Sequence, residues 1–147
     1  MNALKDAFGR VEGTLELWIR DTTGALLDHQ VLRNLVVDSG RLLMAQGMAS
    51  TVNRVGVGTN GAQAAPGDVA PLEDQFAKAF SGITYPAPRQ VEFAFTIAAN
   101  EYNGNTIREF ALLAYADDEF TLFARRAWSG IEKTADVQIQ GQWTLTF

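Results

Sequence analysis

Alternation of apolar and polar positions is the dominant pattern along this chain. At positions 137–147 every odd-numbered residue is apolar or glycine, and every even-numbered residue from 138 to 146 is glutamine or threonine. The same period of two recurs at positions 91–97 and, less regularly, at positions 14–19. Because successive side chains of a strand point to opposite faces of a sheet, each segment is predicted to be a half-buried strand.

Turn-forming residues separate the first two strands. The segment 21–24 reads Asp-Thr-Thr-Gly and lies between two stretches with strand character. It predicts a β-hairpin in which residues 12–20 pair with residues 25–33.

A second group of turns lies in the C-terminal half. The dipeptide Asn103-Gly104 suits a hairpin turn, because both residues tolerate the positive φ that such turns require. The acidic run 117–119 predicts a solvated turn between strands at 106–115 and 120–127. Both of these strands are apolar on each face, and we expect them to lie in the interior of a sheet.

One segment lacks the strand period and predicts a helix. Residues 38–49 read DSGRLLMAQGMA, in which Asp38 or Ser39 can cap the first turn and Gly47 can end the helix. A short strand is expected next at 52–57, followed by a loop at 58–71 that is rich in glycine, alanine and proline.

These elements predict a mainly β fold, an antiparallel β-sandwich with one short α-helix packed at its edge. Residues 11–147 are expected to form a single domain, which suits a chain of 147 residues. Residues 1–10 are interpreted as an N-terminal arm in which Leu4 and Phe8 have helical spacing but cannot be buried by the arm alone.

Composition narrows the possible functions. The chain has no cysteine and a single histidine, His29, so we expect no metal site and no cofactor. The net charge is −5 and there is no basic stripe, which argues against a nucleic-acid partner; the arginines that stand singly include Arg10, Arg20, Arg33, Arg41, Arg54 and Arg89. No apolar run approaches the roughly 20 residues of a membrane span, so no membrane partner is expected.

Two motifs resemble catalytic or binding sequences but lack the required context. Residues 56–61, GVGTNG, match G-x-G-x-x-G, yet a Pro-Gly dipeptide and small residues follow where a dinucleotide site needs a helix. His29 lies beside Asp28, but no serine has a nucleophile-elbow context. We interpret the first motif as a connecting loop and expect no enzymatic activity.

The adjacent charges Arg108 and Glu109 lie within a predicted strand. If residues 116–119 form the turn, Glu109 faces Arg126, whereas a shift of one residue places it opposite Arg125. Either register gives an opposite-charge pair between strands, which stabilises a sheet. A catalytic carboxylate would need a second acid or a histidine nearby, so Glu109 is interpreted as a structural brace.

Several motifs in one order resemble a known family. They read RNLVVDSGRLLMAQGM, VGVGTNGAQAAPGDVAPLEDQFAK, NGNTIREFALL, LFARRAW, IEKT and WTLTF. The series resembles tail-fibre and baseplate-associated structural proteins of tailed bacteriophages, including tail-collar type fibre N-terminal domains. The positions that match the recurrent ones are Asn34, Gly56, Gly58, Asn103, Gly104, Glu109 and Lys133. The resemblance implies architectural roles for them.

The resemblance also implies a function and partners. It implies a non-enzymatic virion protein, made in the host cytoplasm, that acts in the tail or baseplate as an assembly component or fibre anchor. Its partners are expected to be other virion proteins and copies of itself, with a trimer by analogy. The arm and the loop at 58–71 are expected to become ordered against neighbouring subunits.

Two alternatives remain open at this point. One is a head-decoration or neck protein of the virion, since nothing in the sequence marks tail over head. The other is a carbohydrate-binding β-sandwich that uses exposed tryptophans, for which Trp18 and Trp128 are the candidates.

Overall fold

A computed structural model describes residues 12–147, and the arm at 1–10, with Leu4 and Phe8, lies outside this range. The elements, in chain order, are β1 (Glu12–Arg20), β2 (Leu26–Leu35), α1 (Asp38–Thr51), β3 (Arg54–Gly58), β4 (Phe76–Ala79), β5 (Gly82–Thr84), β6 (Gln90–Ile97), β7 (Asn105–Ala116), β8 (Glu119–Lys133) and β9 (Ile139–Thr146).

The described strands form three antiparallel sheets. The orders are β1-β2, β4-β3-β7-β8 and β5-β6-β9. The predicted mainly β fold with one helix is confirmed. The hairpin β1–β2 forms a sheet of its own, so the two sheets of the sandwich are built from β3 to β9.

The core lies between the two larger sheets. One cluster combines residues of β6, β7, β9 and the end of α1, and a second combines residues of β3, β6 and β7. In β9 the predicted alternation is confirmed, because Leu145 is buried while the glutamine and threonine positions are exposed. Burial of one face of each strand therefore holds the two sheets together.

Helix α1 packs at the edge of the sandwich, as predicted, but its predicted ends were wrong. Its N-cap residue is Val37, which makes no side-chain capping hydrogen bond. The helix also continues through Gly47 to Thr51. Ala45 and Ala49 are buried, and Ala49 packs in the first core cluster. Packing of this face extends the helix beyond the local stop signal.

The turn between β7 and β8 confirms one part of the predicted register. Asp117 and Asp118 both have positive φ, of 52° and 61°, as a tight two-residue hairpin turn requires. Tyr115 consequently pairs with Phe120. However, β8 lies at the edge of its sheet, so the expectation that both strands are interior was wrong for β8.

The second predicted hairpin turn was also wrong. Asn103 and Gly104 lie between β6 and β7, which belong to different sheets. The positive φ values here fall on Tyr102 and Gly104. The turn thus carries the chain from one sheet of the sandwich to the other, and the local signal did not distinguish this from a hairpin.

The long connection between β3 and β4, residues 59–75, covers the outer face of the four-stranded sheet. Leu72 is buried against Ala111 and Leu113, which point away from the main core. The loop therefore packs on the sheet of its own subunit, and its expected contacts with neighbouring subunits stay a prediction.

Candidate functional site

Glu109 is a buried acid on the outer face of β7, where only 1% of its surface is exposed. An irregularity between Leu112 and Leu113 shifts the register of β7 against β8. As a result Glu109 lies opposite Ala127, and Arg126 lies opposite Phe110. Arg126 is exposed, so the prediction that it pairs with Glu109 was wrong. A bulge moves every pair beyond it by one position, which the alternation pattern does not reveal.

Arg125, the alternative partner considered from the sequence, makes the ion pair. Its Nε donates to Oε2 of Glu109 at 2.6 Å. Arg125 lies opposite Ala111, and it reaches Glu109 diagonally across the outer face of the sheet. The two side chains are 5% and 1% exposed, so the pair is shielded from solvent.

The same two side chains hold the long loop. Oε1 of Glu109 accepts the backbone N–H groups of Asn60, at 3.3 Å, and Glu73, at 3.2 Å. Arg125 donates through Nη1 to Oδ2 of Asp68 and through Nη2 to the carbonyl oxygen of Asn60, both at 2.9 Å. We call these five residues the Glu109 anchor. It fixes both ends and the middle of the loop to the sheet.

The glycines of the GVGTNG motif allow this close packing. A Cβ on Gly58 would overlap Oε1 of Glu109 and would lie 2.7 Å from the carbonyl oxygen of Glu73. A Cβ on Gly56 would lie 2.6 Å from Cδ1 of Leu113. Residues 56–58 of the motif lie in β3 and residues 59–61 begin the connection after it, so the interpretation as a connecting loop was wrong for the first half of the motif. The glycines make room for protein side chains.

The charges of the Glu109 anchor stabilise one another. Burial alone would lower the pKa of Arg125, but the hydrogen bond and charge of Glu109, aided by Asp68, raise it above its ordinary value. The pKa of Asp68 is lowered, first by the backbone N–H of Ala65 and then by Arg125. The guanidinium therefore stays charged and keeps its three hydrogen-bonded partners.

A second buried charge, Lys133, lies at the end of β8 and is fully buried. Its Nζ donates to Oδ1 of Asn103 at 2.8 Å and to the carbonyl oxygens of Thr134, at 3.0 Å, and Ala99, at 3.3 Å. The N–H of Gly104 donates to the carbonyl oxygen of Lys133 at 2.9 Å. These five residues form the Lys133 anchor, which fixes the crossing between β6 and β7.

Glu101 holds the same crossing from its other side. Its Oε1 accepts from Nζ of Lys78 at 2.7 Å and from the N–H of Ala98 at 2.8 Å. These two hydrogen bonds, that of Lys78 first, lower the pKa of Glu101. Tyr102 follows, and burial raises the pKa of its hydroxyl, which donates to the carbonyl oxygen of Asp74 at 2.6 Å.

The remaining candidates are spread over the molecule. Asn34 and His29 lie in β2, and Nε2 of His29 is 2.8 Å from Oε1 of Glu16. Trp18 and Trp128 are 54% and 42% exposed and lie in different sheets. The structure thus brings together Gly58 with Glu109, and Asn103 and Gly104 with Lys133, but joins none of these to His29 or to the tryptophans.

The Glu109 anchor and the Lys133 anchor leave little room for a ligand. The cavity beside Glu109 and Arg125 has a volume of about 90 Å³, whereas small-molecule pockets occupy about 300–1,000 Å³. Within residues 12–147, no group of three or more histidine, aspartate or glutamate side chains could hold a metal ion. The polar atoms of both anchors are directed at the protein backbone and at each other.

The resemblance named Lys133, but its burial was not predicted from the residues themselves, and Asp68 was missed altogether. Lys133 follows Ile131 by two positions, so it shares the inward face of β8, and a lysine at an inward position is a readable sign of a buried anchor. No sequence pattern marks Asp68 as a partner of Arg125, because only the folded loop brings the two residues together.

Comparisons with protein-family models, with curated proteins and with solved structures found no match for this chain. Helix α1, the helix in the described part of the chain, is not long and apolar enough to cross a membrane.

Proposed function

We propose that this chain is a non-enzymatic structural protein of a tailed-bacteriophage virion, acting in the tail or baseplate as an assembly component or fibre anchor. The proposal combines the ordered series of motifs with the contacts that the motif residues make. It assigns the protein to the virion and gives it other virion proteins and copies of itself as partners.

The observation that carries the proposal is the set of contacts that the motif residues make in the folded chain. Gly58 and Glu109 belong with the Glu109 anchor, and Asn103, Gly104 and Lys133 belong to the Lys133 anchor. Glu109 fixes the connection between β3 and β4, with Gly58 leaving the space for its carboxylate, and the Lys133 anchor fixes the connection between β6 and β7. An enzyme or lectin motif would instead direct polar groups at a ligand, whereas fixing of loops suits a protein that must present a rigid surface to neighbours.

The test is the location of the chain in purified particles. Antibodies against the protein should label the tail or baseplate of tailed particles from the strain that carries its gene, as seen by immunogold electron microscopy. Particles disrupted and analysed by mass spectrometry should contain the chain in a fixed copy number. Absence of the protein from purified particles would refute the proposal.

The same experiments separate the alternatives. Label over the head, with a copy number in the hundreds, would support a decoration protein in place of a tail component. Binding to a glycan array that is lost in the variants Trp18→Ala or Trp128→Ala would support the carbohydrate-binding alternative.

A further inference from the structure

The outer edge of β9 is a regular strand edge without protection against pairing. The two sheets of the sandwich end in four edge strands, β4, β8, β5 and β9. β9 pairs with β6 over eight residues without a register shift, and positions 137–147 carry no charged side chain and no proline. Proteins normally keep an edge strand from pairing with another chain by making it short or by giving it charges, a proline or a bulge.

The other three edges of the sandwich have such protection. β4 and β5 are short, with four and three residues. β8 is long, but its register against β7 shifts at two places, and it carries five charged side chains. A bulge bends a strand and interrupts its edge. In the described part of the chain, β9 is therefore the sandwich edge that offers a regular and uncharged strand.

The hydrogen bond of Phe147 shows which backbone groups of β9 point outward. Its N–H donates to the carbonyl oxygen of Arg89 at 2.8 Å, one step further along the register of β6 and β9. Bonded and non-bonded pairs alternate in an antiparallel ladder, so the odd-numbered residues of β9 bond to β6. The outward N–H and C=O groups belong to the even-numbered residues, Gln140, Gln142, Thr144 and Thr146. Within residues 12–147 these backbone groups have no hydrogen-bond partner.

We propose that β9 pairs with β9 of a second copy of this chain, antiparallel across a two-fold axis, so that two three-stranded sheets become one continuous sheet. The inference rests on the proposed function, since it names one contact through which copies of the chain assemble. In the register centred on Trp143, Gln142 lies opposite Thr144 of the second copy, and Gln140 lies opposite Thr146. Every outward N–H and C=O group of the four residues is then bonded.

The absence of charge favours an identical strand as the partner. Like charges directly opposite each other destabilise a sheet, and a strand that pairs with a copy of itself risks such contacts. Here each opposed pair on the exposed face joins a glutamine to a threonine, and the two-fold axis repeats every bond. The edges β4, β5 and β8 of a second copy are short or interrupted, so among the described strands β9 is the partner that matches the whole length of β9.

The first test is the mass of the full-length chain in solution, measured by light scattering over a dilution series. The wild-type protein should have a mass that is an even multiple of 16.0 kDa. The variant Gln142→Pro removes an outward N–H but no bond to β6, so the subunit keeps its fold. A symmetric pair loses two hydrogen bonds, which should raise the dissociation constant about tenfold or more. The control Gln142→Ala keeps the N–H and should leave the mass unchanged.

A second test uses charge to check the register. The variant Gln142→Lys/Thr144→Lys places lysine opposite lysine across the axis and should be monomeric, whereas Gln142→Lys/Thr144→Glu places lysine opposite glutamate and should stay paired. Circular dichroism of each variant checks that the subunit is folded.

Three results would overturn the inference: a monomeric wild-type protein, a mass that is an odd multiple of the chain mass, or equal masses of the two charge variants. None of these results bears on the location of the protein in the virion, which immunogold labelling decides separately.

Discussion

Removal of the Glu109 carboxylate is the sharpest test of the anchor. In the variant Glu109→Ala, the buried Arg125 loses its closest partner, and the N–H groups of Asn60 and Glu73 lose their acceptor. Breaking a buried ion pair by removing one partner costs about 3–5 kcal/mol. For a chain of this size that loss lowers the melting temperature by roughly 10–15 °C.

The assay is urea unfolding followed by circular dichroism, combined with amide hydrogen exchange. The free energy of unfolding should fall by the amount given above, and the amides of Asn60 and Glu73 should exchange faster. The control Glu119→Ala removes an exposed acid at the start of β8 and should change stability by less than about 0.5 kcal/mol.

Two further results decide what the loss means. The double variant Glu109→Leu/Arg125→Met replaces both charges with apolar side chains and should be more stable than Glu109→Ala, because no buried charge is left unpaired. If Glu109→Ala unfolds like the wild-type protein, the interpretation of Glu109 as a brace is refuted. Loss of a ligand contact at unchanged stability would point instead to a binding role.

Three other perturbations test the same architecture. Gly58→Ala should cost about 1–3 kcal/mol, because its Cβ overlaps Glu109, while Gly67→Ala, with open space around the Cβ, should cost little; equal melting temperatures of the two variants would contradict this. Lys133→Met should cost about 2–4 kcal/mol in urea unfolding, because the fully buried lysine makes three hydrogen bonds that are lost, and unchanged stability would show that the crossing is held by other contacts. The pKa values of Asp68 and Glu101 are lower in the folded chain than their ordinary values of 3.8 and 4.5, so the stability that they contribute is present above those values and is lost as the pH falls below them. Urea midpoints measured from neutral pH downward should decrease in that acidic range, and a midpoint that stays constant there would contradict the assignment.

Local patterns in the sequence were sufficient for most strands and for the fold class. The alternation in β6 and β9, the turn at Asp117 and Asp118, and the pairing of Tyr115 with Phe120 follow from the period of a strand and from the φ preferences of turn residues. These signals are local, because each depends only on residues close together in the chain.

Partners that are distant in the sequence were decided by the tertiary structure. The bulge near Leu112 redirected Glu109 from Arg126 to Arg125, and the turn at Asn103 joined two sheets where the sequence predicted one hairpin. Neither outcome can be predicted from the local alternation of apolar and polar residues, because register and sheet membership depend on which surfaces are buried together. The sequence by itself therefore determined where strands form and which of their faces are apolar. Only the packed structure determined which charged groups are paired. A buried charge is costly without hydrogen-bonding partners, and Glu109 and Lys133 have partners from other elements of the fold.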